Sequence, residues 1–187
     1  ITEKHLNDKF SQNLDKSNVV ILGGTGPVGV ASAVICAKAG ANVTLVGRSL
    51  EKAEKIAGIC NDRYDSKNVK GGADADKSDF FNVADIVLNT GAAGIQLMSE
   101  EHIKNSNTLK ICADTNAVPP SGIAGVDVMD NGKVIDMSPS KCLGIGALAI
   151  GNIKYKSQHE CLKLMYTSEK PVYLDFEDAF KFAQKSV

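Results

Sequence analysis

Val19-Val20-Ile21-Leu22-Gly23-Gly24-Thr25-Gly26-Pro27-Val28-Gly29 is the stretch that decides the fold. Its first four residues are apolar with no polar alternation, as a strand buried on both faces of a parallel sheet requires. The glycines follow at once, and Val28 to Lys38 continues as an alanine-rich helix with Gly40 at its C-terminal cap. Each glycine of the turn answers a separate need. Gly24 permits the tight turn, Gly26 leaves the backbone bare, and Gly29 lets helix and strand pack closely. Pro27 fits the first turn of the helix, although the N–H it lacks is one that would otherwise point at whatever the turn binds, which leaves the affinity open.

Outward from this unit, strands and helices alternate. Ala41–Val46 reads as a second strand, and Leu50–Asn61 as an amphipathic helix with Ser49 as its N-cap. Lys67–Gly71, Ala84–Asn89, Leu109–Asp114 and Lys133–Asp136 read as further strands, and Ala147–Thr167 as a long helix. Upstream, Leu6, Phe10 and Leu14 recur at spacings of four, which predicts a helix over 2–14, broken at Asp15-Lys16-Ser17-Asn18. The pattern predicts an α/β fold, a doubly wound parallel sheet of the Rossmann type with flanking terminal helices. Residues 1–16 are expected to connect from an amino-terminal domain that is missing or vestigial. Residues 17–150 form the Rossmann domain, and 151–187 are helices packing toward a substrate cleft.

A helix N-terminus behind a glycine turn presents unpaired N–H groups and a partial positive charge, and so stabilises an anion without a lysine. Gly24, Thr25, Gly26, Pro27, Val28 and Gly29 are therefore expected to hold the pyrophosphate of a nicotinamide dinucleotide. Domains specific for NAD usually end the second strand in an acid, roughly 20 residues beyond the turn, to bind the ribose 2′-hydroxyl. Here that strand runs into Gly47-Arg48-Ser49. A guanidinium and a hydroxyl suit a 2′-phosphate, so NADP is the expected cofactor and NAD the alternative; Lys52 is a weaker helper. Asn89-Thr90-Gly91-Ala92-Ala93-Gly94 leaves the fourth strand where the nicotinamide half would pass, which makes Thr90, Gly91 and Ala92 contact candidates. A plain strand-to-helix turn remains the other reading of that segment. Asp114 and Asn116 end the fifth strand on the same edge, either touching the ligand or fixing the turn into Pro119-Pro120.

Composition narrows the field. The 187 residues carry 21 basic against 22 acidic side chains, a net charge of -1, which gives no electrostatic case for nucleic acid or an anionic membrane surface. Five cysteines at 36, 60, 112, 142 and 161 show no metal-ligand spacing and read as reduced, mostly buried thiols, so no metal site is expected. No apolar run is long enough to span a membrane, and the polar start ITEKHLNDKF is not a signal peptide, so a cytoplasmic location is expected. A chain beginning at Ile1 is expected to be a processed or partial form of something longer. His5, His102 and His159 lie apart and are assigned no role.

The second half is more particular than a generic Rossmann sequence. Asp114-Thr115-Asn116-Ala117-Val118-Pro119-Pro120-Ser121-Gly122-Ile123 and Gly144-Ile145-Gly146-Ala147-Leu148-Ala149-Ile150-Gly151-Asn152-Ile153-Lys154, with the turn and the Val46-Gly47-Arg48 strand end, resemble methylene-tetrahydromethanopterin dehydrogenase. The resemblance covers about residues 17–187. It implies oxidation of the methylene bridge of a reduced, folate-like pterin to the methenyl form, with NADP or in some members NAD, in a two-domain, oligomeric enzyme. Positioning and electrostatics dominate such a hydride transfer, so the absence of a nucleophile with a paired base does not count against catalysis. By resemblance Lys154 is the catalytic candidate, contacting the pterin from the helix that leaves the domain. As a solvated helix residue it would have no such role. Two other functions remain open: the cofactor domain of a shikimate- or methylene-tetrahydrofolate-dehydrogenase-like enzyme, and a non-catalytic NADP-binding module.

Overall fold

The computed structural model describes residues 1–187. The elements run α1 (Thr2–Phe10), β1 (Asn18–Leu22), α2 (Pro27–Lys38), β2 (Asn42–Gly47), α3 (Leu50–Tyr64), β3 (Val69–Ala73), α4 (Lys77–Phe81), β4 (Ile86–Asn89), α5 (Glu100–Asn105), β5 (Ile111–Asp114), β6 (Asn131–Val134), β7 (Leu143–Ile145), α6 (Ala147–Thr167) and α7 (Phe176–Gln184). All strands join one seven-stranded sheet in the order β3-β2-β1-β4-β5-β7-β6. Every pairing is parallel except the one between β6 and β7. The chain winds outward from β1 to β3, then returns to β4 on the other side of β1, so strand order reverses between β1 and β4. This is the doubly wound sheet expected from the sequence, with an antiparallel edge added.

Alternation along β1 feeds two cores. Val19 and Ile21 join one cluster with Val43, Leu45, Ile86 and Ile111, under α1 and α2. Val20 and Leu22 join the other, with Val87, Phe81, Met98, Ile103 and Ile123. Two-sided burial explains why β1 carries no polar residue between Val19 and Leu22.

Some boundaries differ from the sequence expectation, each for a local reason. α1 stops at Phe10 because Ser11 adopts a left-handed conformation and caps it. Leu14 is buried all the same, carried into the core by a turn rather than by a fourth helical step. α3 runs on to Tyr64, where Asp65 supplies the left-handed cap. The last predicted strand lies slightly earlier, at Asn131–Val134, as an exposed edge. Its partner β7 escapes a sequence reading because it is three residues long with a glycine at its centre, although all three are buried. α6 has the predicted bounds.

Leu6 anchors α1: its side chain is fully buried in the first cluster, on the helix that packs against β5. Leu6→Ala is expected to lower stability by about 3 kcal/mol, the usual cost of emptying such a site, read as a fall in the urea midpoint at unchanged m-value.

Candidate functional site

The chain leaves β1 at Leu22 and turns at Gly23, where φ is 65°. A Cβ on Gly23 would stand 2.5 Å from the Cα of Gly91, so the loops leaving β1 and β4 touch backbone to backbone at the point of reversal. A Cβ on Gly29 would stand 2.5 Å from the Cα of Gly24, so the first turn of α2 lies directly on the loop with no side chain between. The amide of Gly24 donates to the Val46 carbonyl at 3.0 Å, tying the turn to the end of β2.

Gly26 is different. A Cβ built there meets only the Gly23 carbonyl oxygen, at 3.7 Å, so the side facing it is open. It is the N-cap of α2, with φ -87° and ψ 168° and no capping side chain, and Pro27 follows it. The amides of Val28 and Gly29 have no hydrogen-bond partner in the chain. A bare notch thus faces free N–H groups at the positive end of a twelve-residue helix, which is the chemistry of an anion site.

Beside the notch, β2 ends at Gly47, where a Cβ would meet the Thr25 methyl at 2.8 Å; the glycine makes room for Thr25. Arg48 follows, exposed and in none of the salt bridges. Ser49 is the N-cap of α3 as expected, its hydroxyl oxygen accepting from the Lys52 amide at 3.3 Å. Its own proton stays available to donate outward. Lys52 is exposed one turn along.

The third and fourth groups of candidates separate once their hydrogen bonds are followed. Thr90 donates from both its amide and its hydroxyl to the Leu22 carbonyl, each at 2.9 Å. Gly91 donates to the Asn89 side-chain oxygen at 3.0 Å, while Ala92 is exposed. Asp114 is 1% exposed and its carboxylate is committed inside the chain: Oδ1 accepts from the Asn89 side-chain amide at 2.7 Å and the Asn116 amide at 2.9 Å, and Oδ2 from the Ile123 amide at 3.1 Å. Asn116 is spent likewise, donating to the Pro120 carbonyl at 2.8 Å and accepting from the amides of Val118 and Gly94 at 2.9 and 3.3 Å. Of the two readings offered for Asp114 and Asn116, the geometry is that of turn-fixing: they set the loops on which Thr90, Gly91 and Ala92 are displayed.

The sequence reading passed over three residues of this network. Asn89, fully buried, joins Gly91 to Asp114. Gly122 is required by it, since a Cβ there would fall 1.7 Å from the Asn89 amide nitrogen. Thr115 repeats the Thr90 device, its amide and hydroxyl donating to the Asn89 carbonyl at 3.1 and 2.9 Å. The paired strand ends Asn89-Thr90 and Asp114-Thr115 were the signal available in the sequence.

A cleft of about 1240 Å³ opens between the sheet and α1, α2, α6 and α7. Ile86, Leu88, Ala113 and Ile145 line it from the strands, and Asn89, Thr90 and Thr115 from the carboxyl edge. No residue of the glycine turn lines it; the link between the two is Thr90, which lines the cleft and bonds the Leu22 carbonyl at the start of the turn. Lys154 lines the cleft from α6, exposed and without an ion pair. Cys36 also borders it, but burial, with a smaller contribution from Glu3, pushes its thiol up to about 12, which leaves it protonated and a poor nucleophile. The histidines lie elsewhere: His5 bonds Asn131, His102 caps α5, and His159 is exposed on α6. No group of three or more His, Cys, Asp or Glu residues is placed to hold a metal, and no helix is long and apolar enough to cross a membrane.

Fold and turn together define the class: a Rossmann-type domain. Solved structures agree at the level of fold: quinate dehydrogenase from Corynebacterium glutamicum in complex with NAD (TM-score 0.59, 16% identity, 99% of this chain and 60% of that one) and Mycobacterium tuberculosis shikimate dehydrogenase (TM-score 0.52, 15% identity, 89% and 56%). No protein-family model matches the sequence. Within the class, the chain is a relative of the NAD(P)-dependent methylenetetrahydromethanopterin dehydrogenase of Methylorubrum extorquens, 38% identical over 95% of this chain, as the second-half motifs implied. The bifunctional protein MdtA of the same organism is 37% identical over 89%. The chain spans 60% and 57% of the lengths of these two relatives.

Gly122→Ala tests the buried network without touching the notch. It is expected to cost about 2 kcal/mol of stability through overpacking and loss of the Asn89–Asp114 bond, seen as a lowered unfolding midpoint.

Proposed function

We propose that this chain is the cofactor-binding part of a dehydrogenase that oxidises methylene-tetrahydromethanopterin, or a similar reduced pterin, to the methenyl form, with NADP as hydride acceptor. The observation that carries the cofactor reading is the open notch at Gly26, fronting the unpartnered amides of Val28 and Gly29. A pyrophosphate there would accept from these amides, with Gly24, Thr25 and Pro27 shaping the turn and Gly29 holding α2 close enough to reach. Arg48 supports the choice of NADP over NAD: it is exposed, free of ion pairs and next to the turn, with the Ser49 hydroxyl and Lys52 beside it.

The bound cofactor supplies a nicotinamide ring that takes up the hydride. The chain supplies position. Thr90, Gly91 and Ala92, held by Asn89, Asp114 and Asn116, present small residues where the ring would pass from notch to cleft, so that it can approach the β1–β4 junction closely. Lys154, which lines the cleft from α6, would orient a carbonyl or a carboxylate-bearing tail of the pterin. The leaving hydride makes a cation that the flanking pterin nitrogens delocalise, so Lys154 is best used at a distance from that carbon. The pterin reading rests on the sequence likeness to the methylenetetrahydromethanopterin dehydrogenase, which favours it over a shikimate-type substrate, for which only fold likeness speaks.

Further surface awaits cover. Tyr166 at the end of α6 and Tyr173 beyond it are 92% and 95% exposed, and Leu162 and Met165 more than half exposed. Such an apolar stripe on the cleft-forming helices supports a cleft completed by the rest of a longer subunit or by a second subunit. A cytoplasmic location fits a soluble pterin and dinucleotide.

Calorimetric titration with NADP and NAD, on the chain and two variants, tests the cofactor reading. Gly26→Ala is expected to leave the unfolding midpoint unchanged, since its Cβ meets nothing closer than 3.7 Å, while weakening both nucleotides at least tenfold, about 1.4 kcal/mol. Arg48→Ala is expected to remove a tenfold or greater preference for NADP and spare NAD. Absence of binding by the unaltered chain would sink the cofactor reading. In the whole enzyme, Lys154→Ala is expected to raise KM for the pterin several-fold with dinucleotide affinity unchanged; equal effects on both would remove it from the substrate site.

A further inference from the structure

Thr90 and Thr115 are the same device built twice. Each is the first residue after its strand, on β4 and β5, whose last residues Asn89 and Asp114 pair directly in the sheet. Each donates its amide and its hydroxyl to the last carbonyl of the neighbouring strand, Thr90 to Leu22 and Thr115 to Asn89. A carbonyl only accepts, so in both bonds the threonine must be the donor. Both hydroxyl protons are therefore committed to the main chain, and what each oxygen has left to offer a ligand is acceptor capacity alone. The two residues stand about one strand spacing apart, roughly 4.8 Å, and both line the cleft. Thr115 is exposed and Thr90 partly so. From the other wall Lys154, which can only donate, lines the same space.

We propose that Thr90 and Thr115 form a matched acceptor pair that selects a ligand edge bearing N–H donors in the cleft, with Thr115 the specificity-determining residue. The inference rests on the cofactor reading above and extends it to Thr115, which neither the glycine turn nor Arg48 involves. A ligand edge made of carbonyl or carboxylate oxygen would set lone pair against lone pair here and is directed to Lys154 instead. The N–H donor belongs either to the carboxamide of the nicotinamide or to the nitrogen-bearing edge of the reduced pterin.

The two sources part in one experiment. Wild-type chain, Thr115→Val, Thr115→Ser and Thr90→Val are titrated calorimetrically with the dinucleotide and with its 3-acetylpyridine analogue, in which a methyl group replaces the carboxamide nitrogen. Thermal unfolding of each variant is recorded alongside, and KM for the reduced pterin is measured in the whole enzyme. The serine variant keeps the acceptor and is expected to bind as wild type. The valine variants, which keep the shape and lose the acceptor, are expected to bind the donor-bearing ligand roughly tenfold more weakly. If the carboxamide is the donor, wild type prefers the dinucleotide to the analogue and the valine variants lose that preference. If the pterin is the donor, nucleotide affinities hold and only its KM rises. Folded valine variants that match wild type in all three measurements would overturn the proposal while leaving the cofactor reading intact. A wild-type chain that binds no dinucleotide would overturn both.

Discussion

The contact between the loops leaving β1 and β4 is the constraint on which the site depends. Strand order reverses there, so the two loops diverge to opposite faces of the sheet, and a crevice opens only if they start close together. Gly23 and Gly91 let the backbones meet where a Cβ would be 2.5 Å from its neighbour. Thr90 then pins the β4 loop to the last carbonyl of β1 with two hydrogen bonds. Widen this junction by a side chain and the notch before α2 loses its alignment with the cleft over β4 and β5. For the hydride transfer proposed above the position matters, because donor and acceptor must approach to about 3–3.5 Å and misplacement by an ångström is costly.

Charge is used sparingly around this junction. The chain is nearly neutral, and the notch before α2 presents backbone N–H groups and a helix end rather than a lysine. Backbone donors are fixed by the fold and would lose little entropy on meeting an anion, whereas the exposed Arg48 would have to become ordered. The two therefore serve different ends. On the proposed reading the turn would serve either nucleotide alike, and Arg48 would add a contact that only a 2′-phosphate can use. Asp114 is the reverse case, a buried carboxylate whose charge is met by three N–H donors within the chain. Charge-assisted bonds of this sort are worth about 1.5–3 kcal/mol each, so the network is a stiff platform rather than a binding group.

How far the sequence speaks follows from the range of the interactions. The β1 run, the glycine turn and the cap at Ser49 are local: each is specified by residues within one strand, turn or helix end, and each stands where the sequence puts it. The parallel sheet was legible for the same reason, since two-sided burial leaves unbroken apolar runs. β7 was not, because three residues with Gly144 at the centre carry no period and gain their place only by pairing with β5 and β6. Leu14 misled the α1 boundary: a spacing of four marks burial, and burial can be reached through a turn as well as a helix. In the site, Asp114 and Asn116 were found because Asx residues at strand ends attract attention. Turn-fixing was one of the two tasks legible there, but the choice between them was not, because it depends on Asn89 and Gly122, which approach from other segments of the chain.

That long-range dependence bears on which residues can vary without loss of the site. Gly122 has an ordinary backbone conformation, and nothing in Pro120-Ser121-Gly122-Ile123 marks it as different from a flexible loop glycine. It is fixed by an amide nitrogen 33 positions upstream, which would lie 1.7 Å from any Cβ placed there. The Asn89 amide in turn reaches Asp114 only because that space is empty, and Asp114 then holds the amides of Asn116 and Ile123. One missing methyl group thereby links β4, β5 and the loop that follows them. The Asp114–Ile123 segment thus carries a packing requirement, and its glycine and its aspartate are parts of one support beneath the partly exposed Thr90 and the exposed Thr115.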